Sequence, residues 1–278
     1  MTYKTILAVL QDESDTARVL DCVAPLAERF SAHVIGVHAE PLAVPYATPM
    51  GFPDADFMIT SSETNKEQSA VIQRLFDARM IRSALPFEWR SLESFSGDSA
   101  ISSLDSARAV DLIVAQQRDP NGQSFATNIE ALLLRTGRPV LFVPHTQPVN
   151  TAFANILIGW NGTRESTRAV FDALPFIRQA RQVEVFTVDP ERYGGDEAMT
   201  AGGQIAAALS RHGAHVSVHS QHKTDRTHGE AIRHRVAETG ADLLVTGAYS
   251  QSRLKEFFFG GVTQSMLDDM PTATFMSR

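Results

Sequence analysis

The chain has 278 residues, 43% of them hydrophobic and 21% charged, and at about 100–200 residues per domain that length predicts two domains with separate cores. Twenty-five Lys and Arg against 32 Asp and Glu leave a net charge of −7, and no basic run offers a footprint for a phosphate backbone, so nucleic acid is excluded as the expected partner. The lone Cys22 has no disulfide partner in the chain, residues 1–6 lack the charged head and apolar stretch of a signal peptide, and no apolar run approaches the roughly 20 residues that cross a bilayer. The expectation is a cytoplasmic protein without a membrane partner.

The elements repeat in chain order. Ile6-Leu7-Ala8-Val9 is followed by Thr16-Ala17-Arg18-Val19 and Pro25, and Ile156-Leu157-Ile158-Gly159 by Ser166-Thr167-Arg168-Ala169 and Pro175, at an offset of 150. Further on, Val110-Asp111-Leu112-Ile113-Val114 parallels Ala241-Asp242-Leu243-Leu244-Val245 at an offset of 131, and Pro139-Val140-Leu141-Phe142 parallels Pro271-Thr272-Ala273-Thr274 at 132. The fall in offset leaves about 19 extra residues in the first half, between its second and third strands. Residues 41–53 carry four prolines among apolar residues and cannot be helical, so a surface flap is predicted over about 41–60. That flap either covers apolar surface inertly or reaches toward the second half.

In the second half the pattern predicts strands near 155–160, 183–189, 214–220, 241–247 and 272–277. Helices are predicted near 164–180, 196–212, 229–239 and 263–269. The strands are short, apolar and β-branched, as buried parallel strands are. Such alternation implies right-handed crossovers with helices on both faces of the sheet, and ligands sit beyond the carboxyl ends of the strands. Two domains, 1–147 and 152–278, meet at the polar stretch His145-Thr146-Gln147-Pro148-Val149-Asn150-Thr151.

At the carboxyl end of the fourth strand of the second half stands Gly247-Ala248-Tyr249-Ser250, and nine residues later Gly260-Gly261-Val262-Thr263 opens the last helix. Glycines there allow close backbone approach to a ligand, and free amides at a helix start form an anion site. Spacing alone equally fits tight turns with no ligand.

This pattern resembles the universal stress proteins of the tandem type over nearly the full length. The resemblance implies two tandem five-stranded parallel α/β domains, Rossmann-like and akin to the adenine nucleotide alpha hydrolases, related by a pseudo-twofold axis. Nucleotide-binding members carry Gly, two residues, Gly, nine residues, Gly and then Ser or Thr. Here Gly247, Ser250 and Gly260 keep that spacing, but Ser250 replaces a glycine and Gly261 replaces the hydroxyl residue, with Thr263 two positions on. Asn161, followed by Gly162-Thr163, stands where the family has an Asp, and loses its charge. Val188 matches the residue whose backbone faces adenine. The implied nucleotide site is Asn161, Gly162, Thr163, Val188, Gly247, Ser250, Gly260, Gly261, Val262 and Thr263, taking ATP or AMP, with Mg²⁺ accompanying ATP. The first half has Gln11 at the Asp position, Ala115-Gln116-Gln117-Arg118-Asp119-Pro120 without the glycines, and Asn128-Ile129 in place of Gly260-Gly261; it is expected to be a non-binding partner domain.

Six histidines lie between His212 and His234, but no Cys or close carboxylate pair completes a zinc set, and solvated histidines are the expectation. Neither a Gly-Lys-Ser/Thr loop nor a Gly-x-Ser-x-Gly elbow is present, so no catalytic residue is assigned and any ATP hydrolysis is expected to be slow. Asp189 and Asp225 near strand ends either meet Mg²⁺ beside a phosphate or are solvated. The last strands of the two halves read as sheet edges, and the resemblance implies that they pair with each other across the pseudo-twofold axis, making the chain a pseudo-dimer open to further homodimer formation. Phe257-Phe258-Phe259 either packs beneath the glycine loop or meets another chain. The combined reading is a stress-response protein that binds an adenine nucleotide weakly or conditionally in its second half and acts through conformation or a protein partner. The alternative is a nucleotide-independent scaffold with both sites decayed.

Overall fold

The first repeat begins with β1 (Thr5–Val9), α1 (Glu13–Phe30), β2 (His33–Pro41), α2 (Ala55–Arg82) and β3 (Phe87–Ser94). Two single turns follow, α3 (Ser99–Ser102) and α4 (Leu104–Ala107), then β4 (Leu112–Gln116), α5 (Ile129–Arg135) and β5 (Val140–Val143). The second runs β6 (Asn155–Gly159), α6 (Arg164–Asp172), α7 (Leu174–Ile177), β7 (Gln182–Val188), α8 (Asp196–Arg211), β8 (Val216–Gln221), α9 (His228–Thr239), β9 (Leu243–Gly247), α10 (Val262–Asp268) and β10 (Ala273–Ser277). The structure, a computed structural model, describes residues 2–43, 55–119, 127–189, 196–222, 225–249 and 262–278. By contact the chain divides into Lys4–Thr136 and, together with its first three residues, Gly137–Arg278. No helix among the described residues is long and apolar enough to cross a membrane.

In the unit Lys4–Thr136 the strands run in the order β3-β2-β1-β4, all parallel, with Ile6 opposite Val34 on one side and Leu112 on the other. Helix α1 starts at a capping box in which Asp12 accepts from the Asp15 N–H and the Asp15 carboxylate accepts from the Asp12 N–H. Helix α2 lies flat on β2 because Gly36 has no side chain: a Cβ there would stand 2.6 Å from the fully buried Phe76 ring. At 28 residues against 16 for α8, α2 holds part of the extra length of the first half. Residues 55–60, within the predicted flap, are helical, since the prolines end at Pro53. The flap's residues 44–54 lie outside the described residues.

In the unit holding Gly137–Arg278 the order is β5-β10-β9-β6-β7-β8, parallel except for β5 against β10. The last strands of the repeats thus pair as expected, antiparallel, with Phe275 opposite Leu141. Within its own repeat β10 is the outermost strand, with β9 on its inner side and β5 on its outer. The helix predicted over 164–180 is broken at Ala173, with Pro175 in the first turn of α7, where its missing N–H costs nothing. Pro25, at the matching position, sits inside an unbroken α1. Helix α9 begins with a second capping box, Thr227 with Glu230, and ends at Gly240 in the left-handed region, φ 61°.

Two glycines define the faces of this sheet. A Cβ on Gly159 would look toward Thr246 and Ile232 of α9, whereas one on Gly247 would run into the first turn of α6. Side chains alternate along a strand, so α9 covers one face and α6 the other. Helix α8 lies on the α6 side, its Gly202 turned toward Thr187 and Val218. Between the layers Leu157, Ile158, Val185, Leu244 and Phe275 are fully buried, and the core extends along β9, β6 and β7.

Candidate functional site

The chain leaves β6 toward β7 and returns from β8 to β9 on the other side of β6. That reversal between β6 and β9 is the point where open parallel sheets form a crevice at their carboxyl ends. Three strand ends meet it: Trp160-Asn161 after β6, Val188-Asp189 at the end of β7, and Gly247-Ala248-Tyr249 at the end of β9.

After β6 the turn closes on itself. Asn161 Oδ1 accepts from the Thr163 N–H at 3.2 Å and from the Thr163 hydroxyl at 2.8 Å. Thr163 Oγ1 in turn accepts from the Ser166 N–H and caps α6. Gly162 is required by its φ of 70° rather than by space, since a Cβ there would have no neighbour within 4 Å. Loss of the aspartate charge therefore leaves a working cap, and the Asn161 carbonyl is committed to it.

Val188 ends β7 as a buried residue. The next residue, Asp189, turns at φ 45° while its N–H donates to the Gln221 carbonyl. Its carboxylate faces His228 Nε2 at 3.8 Å, at the first turn of α9. In the same first turn of α9, Glu230 is held below the usual carboxylate range by hydrogen bonds from the Thr227 backbone and hydroxyl. Asp225 is exposed before α9.

Gly247 serves packing. A Cβ there would stand 2.5 Å from the Ser166 nitrogen and 2.6 Å from the Glu165 carbonyl carbon, so its bare backbone is what allows α6 to approach β9. Thr263 is buried, and its hydroxyl accepts from the Tyr249 N–H at 2.9 Å, tying α10 to the end of β9. Tyr249 takes φ 52° to make that turn. Val262 is half-buried at the start of α10. Ser250, Gly260, Gly261 and Phe257-Phe258-Phe259 lie outside the described residues.

Two residues that no motif singled out belong to the same strand ends. Trp160 Nε1 and Thr187 Oγ1 are buried without a hydrogen-bond partner. Their only sequence signal is adjacency to Asn161 and Val188. The histidines are dispersed: His212 meets Phe171, His219 stacks on Phe186, and His234 pairs with Glu238. Among the described residues no three His, Cys, Asp or Glu side chains come together as a metal set.

The corresponding strand end in the unit Lys4–Thr136 is tied up by its own chain. Gln11 Nε2 donates to the Gly97 carbonyl at 2.7 Å, and Gln11 Oε1 accepts from the Ser99 N–H at 2.9 Å. The Ser99 hydroxyl accepts from the Ala39 N–H of β2. One Asp98 oxygen caps α3 through the Ala100 and Ile101 N–H groups, and the other accepts from the Asn128 N–H ahead of α5. Asn128 Oδ1 caps α5 through the Ala131 N–H. A carboxylate and two amide side chains thus satisfy the backbone donors of that end.

No curated protein sequence matches the chain significantly. Residues 152–278 match the model of the universal stress protein family. A universal stress protein from Archaeoglobus fulgidus has the same fold at 15% identity and a TM-score of 0.73, over 99% of this chain and 96% of that one. A candidate universal stress protein from Pseudomonas aeruginosa superposes at 12% identity and a TM-score of 0.61, over 99% and 93%. The Archaeoglobus fulgidus universal stress protein solved in complex with dAMP is 17% identical and covers 51% of this chain and 98% of its own, with a TM-score of 0.30. Residues 152–278 are a domain of the universal stress protein family, in a chain that has the fold of a tandem member along its whole length.

Proposed function

We propose that the second domain binds an adenine nucleotide, AMP or ATP, weakly or conditionally, at the carboxyl ends of β6, β7 and β9. The bound state would act through conformation or a protein partner. The observation that carries this reading is the contrast between the two repeats. In the first, Gln11 and Asp98 consume the backbone donors of the strand end; in the second, Asn161, Gly162, Thr163, Val188 and Gly247 border the switch point. Ser250, Gly260, Gly261, Val262 and Thr263 would contact the phosphates, and the Val188 backbone would face the base. Magnesium would arrive with ATP and meet Asp189, whose carboxylate already faces His228.

A second reading, a nucleotide-independent scaffold, draws on internal commitments in this same domain. The Asn161 carbonyl is used by Thr163, and the Thr263 hydroxyl accepts from Tyr249. Calorimetric titration of the nucleotide-stripped protein with AMP and Mg-ATP separates the two, with Gly260→Val as control. Saturable one-site binding that the variant abolishes is the expected result. Silence at millimolar ligand leaves the scaffold.

A further inference from the structure

The ladder between β6 and β7 continues one step past Gly159, because the Trp160 N–H donates to the Phe186 carbonyl at 2.9 Å. Gly159 faces Phe186 in register, so Trp160 stands beside Thr187. The Gly159 side of β6 faces α9, which turns Trp160 to the other face, the one that Thr187 shares with Gly202 of α8. Trp160 is 9% exposed and Thr187 3%. Their polar atoms, an indole N–H and a hydroxyl, are both buried and both without a hydrogen-bond partner. On the far side of Trp160 the same row reaches Gly247.

An orphaned donor in an interior is costly, and most buried polar groups have a partner. Two residues with orphaned groups, adjacent in register at the carboxyl ends of neighbouring strands next to the switch point, point to a partner supplied from outside the chain. Gly202 adds a second feature: a methyl there would come to 3.9 Å from Thr187 Oγ1, so the glycine keeps α8 from covering that hydroxyl with a side chain. An indole N–H only donates, whereas a threonine hydroxyl both donates and accepts. Together they fit an edge that sets a ring-nitrogen acceptor beside an amino donor, as the N7 and N6 edge of adenine does.

We propose that Trp160 and Thr187 are the base-reading pair of the second domain, the indole N–H donating to a ring nitrogen of adenine and the Thr187 hydroxyl accepting from its amino group. The inference rests on the nucleotide reading above and adds two side chains to a site otherwise assigned through backbone and turns.

The test uses the full chain with AMP as the probe. Trp160→Phe keeps most of the ring and removes the donor; Thr187→Val keeps the shape and removes the hydroxyl. Each variant is expected to bind AMP about tenfold more weakly by calorimetry, the loss of one hydrogen bond of about 1.4 kcal/mol. Thr187→Val should also melt higher than the parent by about 3 °C, because an unpartnered polar group is gone; Trp160→Phe, which also loses buried ring volume, is read by affinity. Trp89 is the only other tryptophan, so in a Trp89→Phe background AMP should shift the Trp160 emission along the calorimetric binding curve. If the parent binds AMP and Gly260→Val abolishes it, yet both variants keep parental affinity and the emission does not move, the pair holds a trapped water only and the inference falls alone. If the parent binds neither AMP nor Mg-ATP, the nucleotide reading falls and takes the inference with it.

Discussion

Gly247 provides the sharpest test of what the glycine pattern is for. Its φ lies outside the left-handed region, so alanine suits the backbone and the only obstacle is space. The added Cβ would meet the Ser166 nitrogen at 2.5 Å, the Glu165 carbonyl carbon at 2.6 Å and Glu165 Cβ at 3.0 Å. The first two are backbone atoms of a capped helix turn and the third is fixed directly to it, with no flexible end to swing away. To restore ordinary contact α6 must retreat by about 1 Å from β9, against the cap formed by Asn161 and Thr163. Overpacking costs about 1–3 kcal/mol, and rigid contact atoms put Gly247→Ala at the upper end. At about 2–4 °C per kcal/mol that is a fall of about 8 °C in Tm. Two controls share the chemistry without the clash. Gly159→Ala, one strand over, meets nothing nearer than 3.4 Å and should cost under about 1.5 kcal/mol. Gly203→Ala, in the interior of α8 with no neighbour within 4 Å, should stabilise by about 0.5–1 kcal/mol through helix propensity. Calorimetric melts of the three variants decide the matter. A Gly247→Ala protein that melts within 1–2 °C of the parent would refute the packing role and return this glycine to the ligand.

Asp98→Ala removes a carboxylate that caps α3 and holds the start of α5; a loss of about 1–2 kcal/mol is expected in urea unfolding, and Asp98→Asn, which keeps one acceptor oxygen, should recover part of it. Glu184→Ala leaves the Arg235 guanidinium without its bidentate partner across α9 and β7, and should cost about 1–3 kcal/mol, read as a lower urea midpoint at unchanged slope. Two groups in the first unit pull its stability in opposite directions with pH. Burial holds His38 below its ordinary 6.5, so its contribution is present above pH 6.5 and is lost as pH falls, because the unfolded chain takes the proton first. Burial, with the nearby Asp12 charge, raises Asp15 from 3.8 to about 7, so its contribution is full below pH 3.8 and is lost as pH rises toward 7. His38→Asn should flatten the decline below pH 6.5 and Asp15→Asn the decline between pH 4 and 7, both read from urea midpoints across pH; an unchanged profile in either variant counts against that residue.

Local chemistry was legible in the chain itself. Short β-branched runs at repeated offsets specify the strands, and β6 to β10 fall within a few residues of the predicted ranges, because burial on both faces of a parallel strand demands such runs wherever they occur. Thr227 with Glu230, and Asn161-Gly162-Thr163, carry helix starts in their own side chains, and the pairing of β5 with β10 followed from the resemblance to tandem universal stress proteins. Tertiary structure decided what depends on two segments at once. Whether Pro175 ends a helix or lies within one, as Pro25 does, was not readable from matching sequence positions. The long α2, which takes up residues assigned to the flap, is held by Phe76 on the bare backbone of Gly36. The close approach of Gly247 to α6 was also hidden, since close packing is a property of a distance that spacing along the chain does not contain. Trp160 and Thr187 carry no motif, and only the register of β6 on β7 and the face it selects set these two residues with unpartnered groups next to each other.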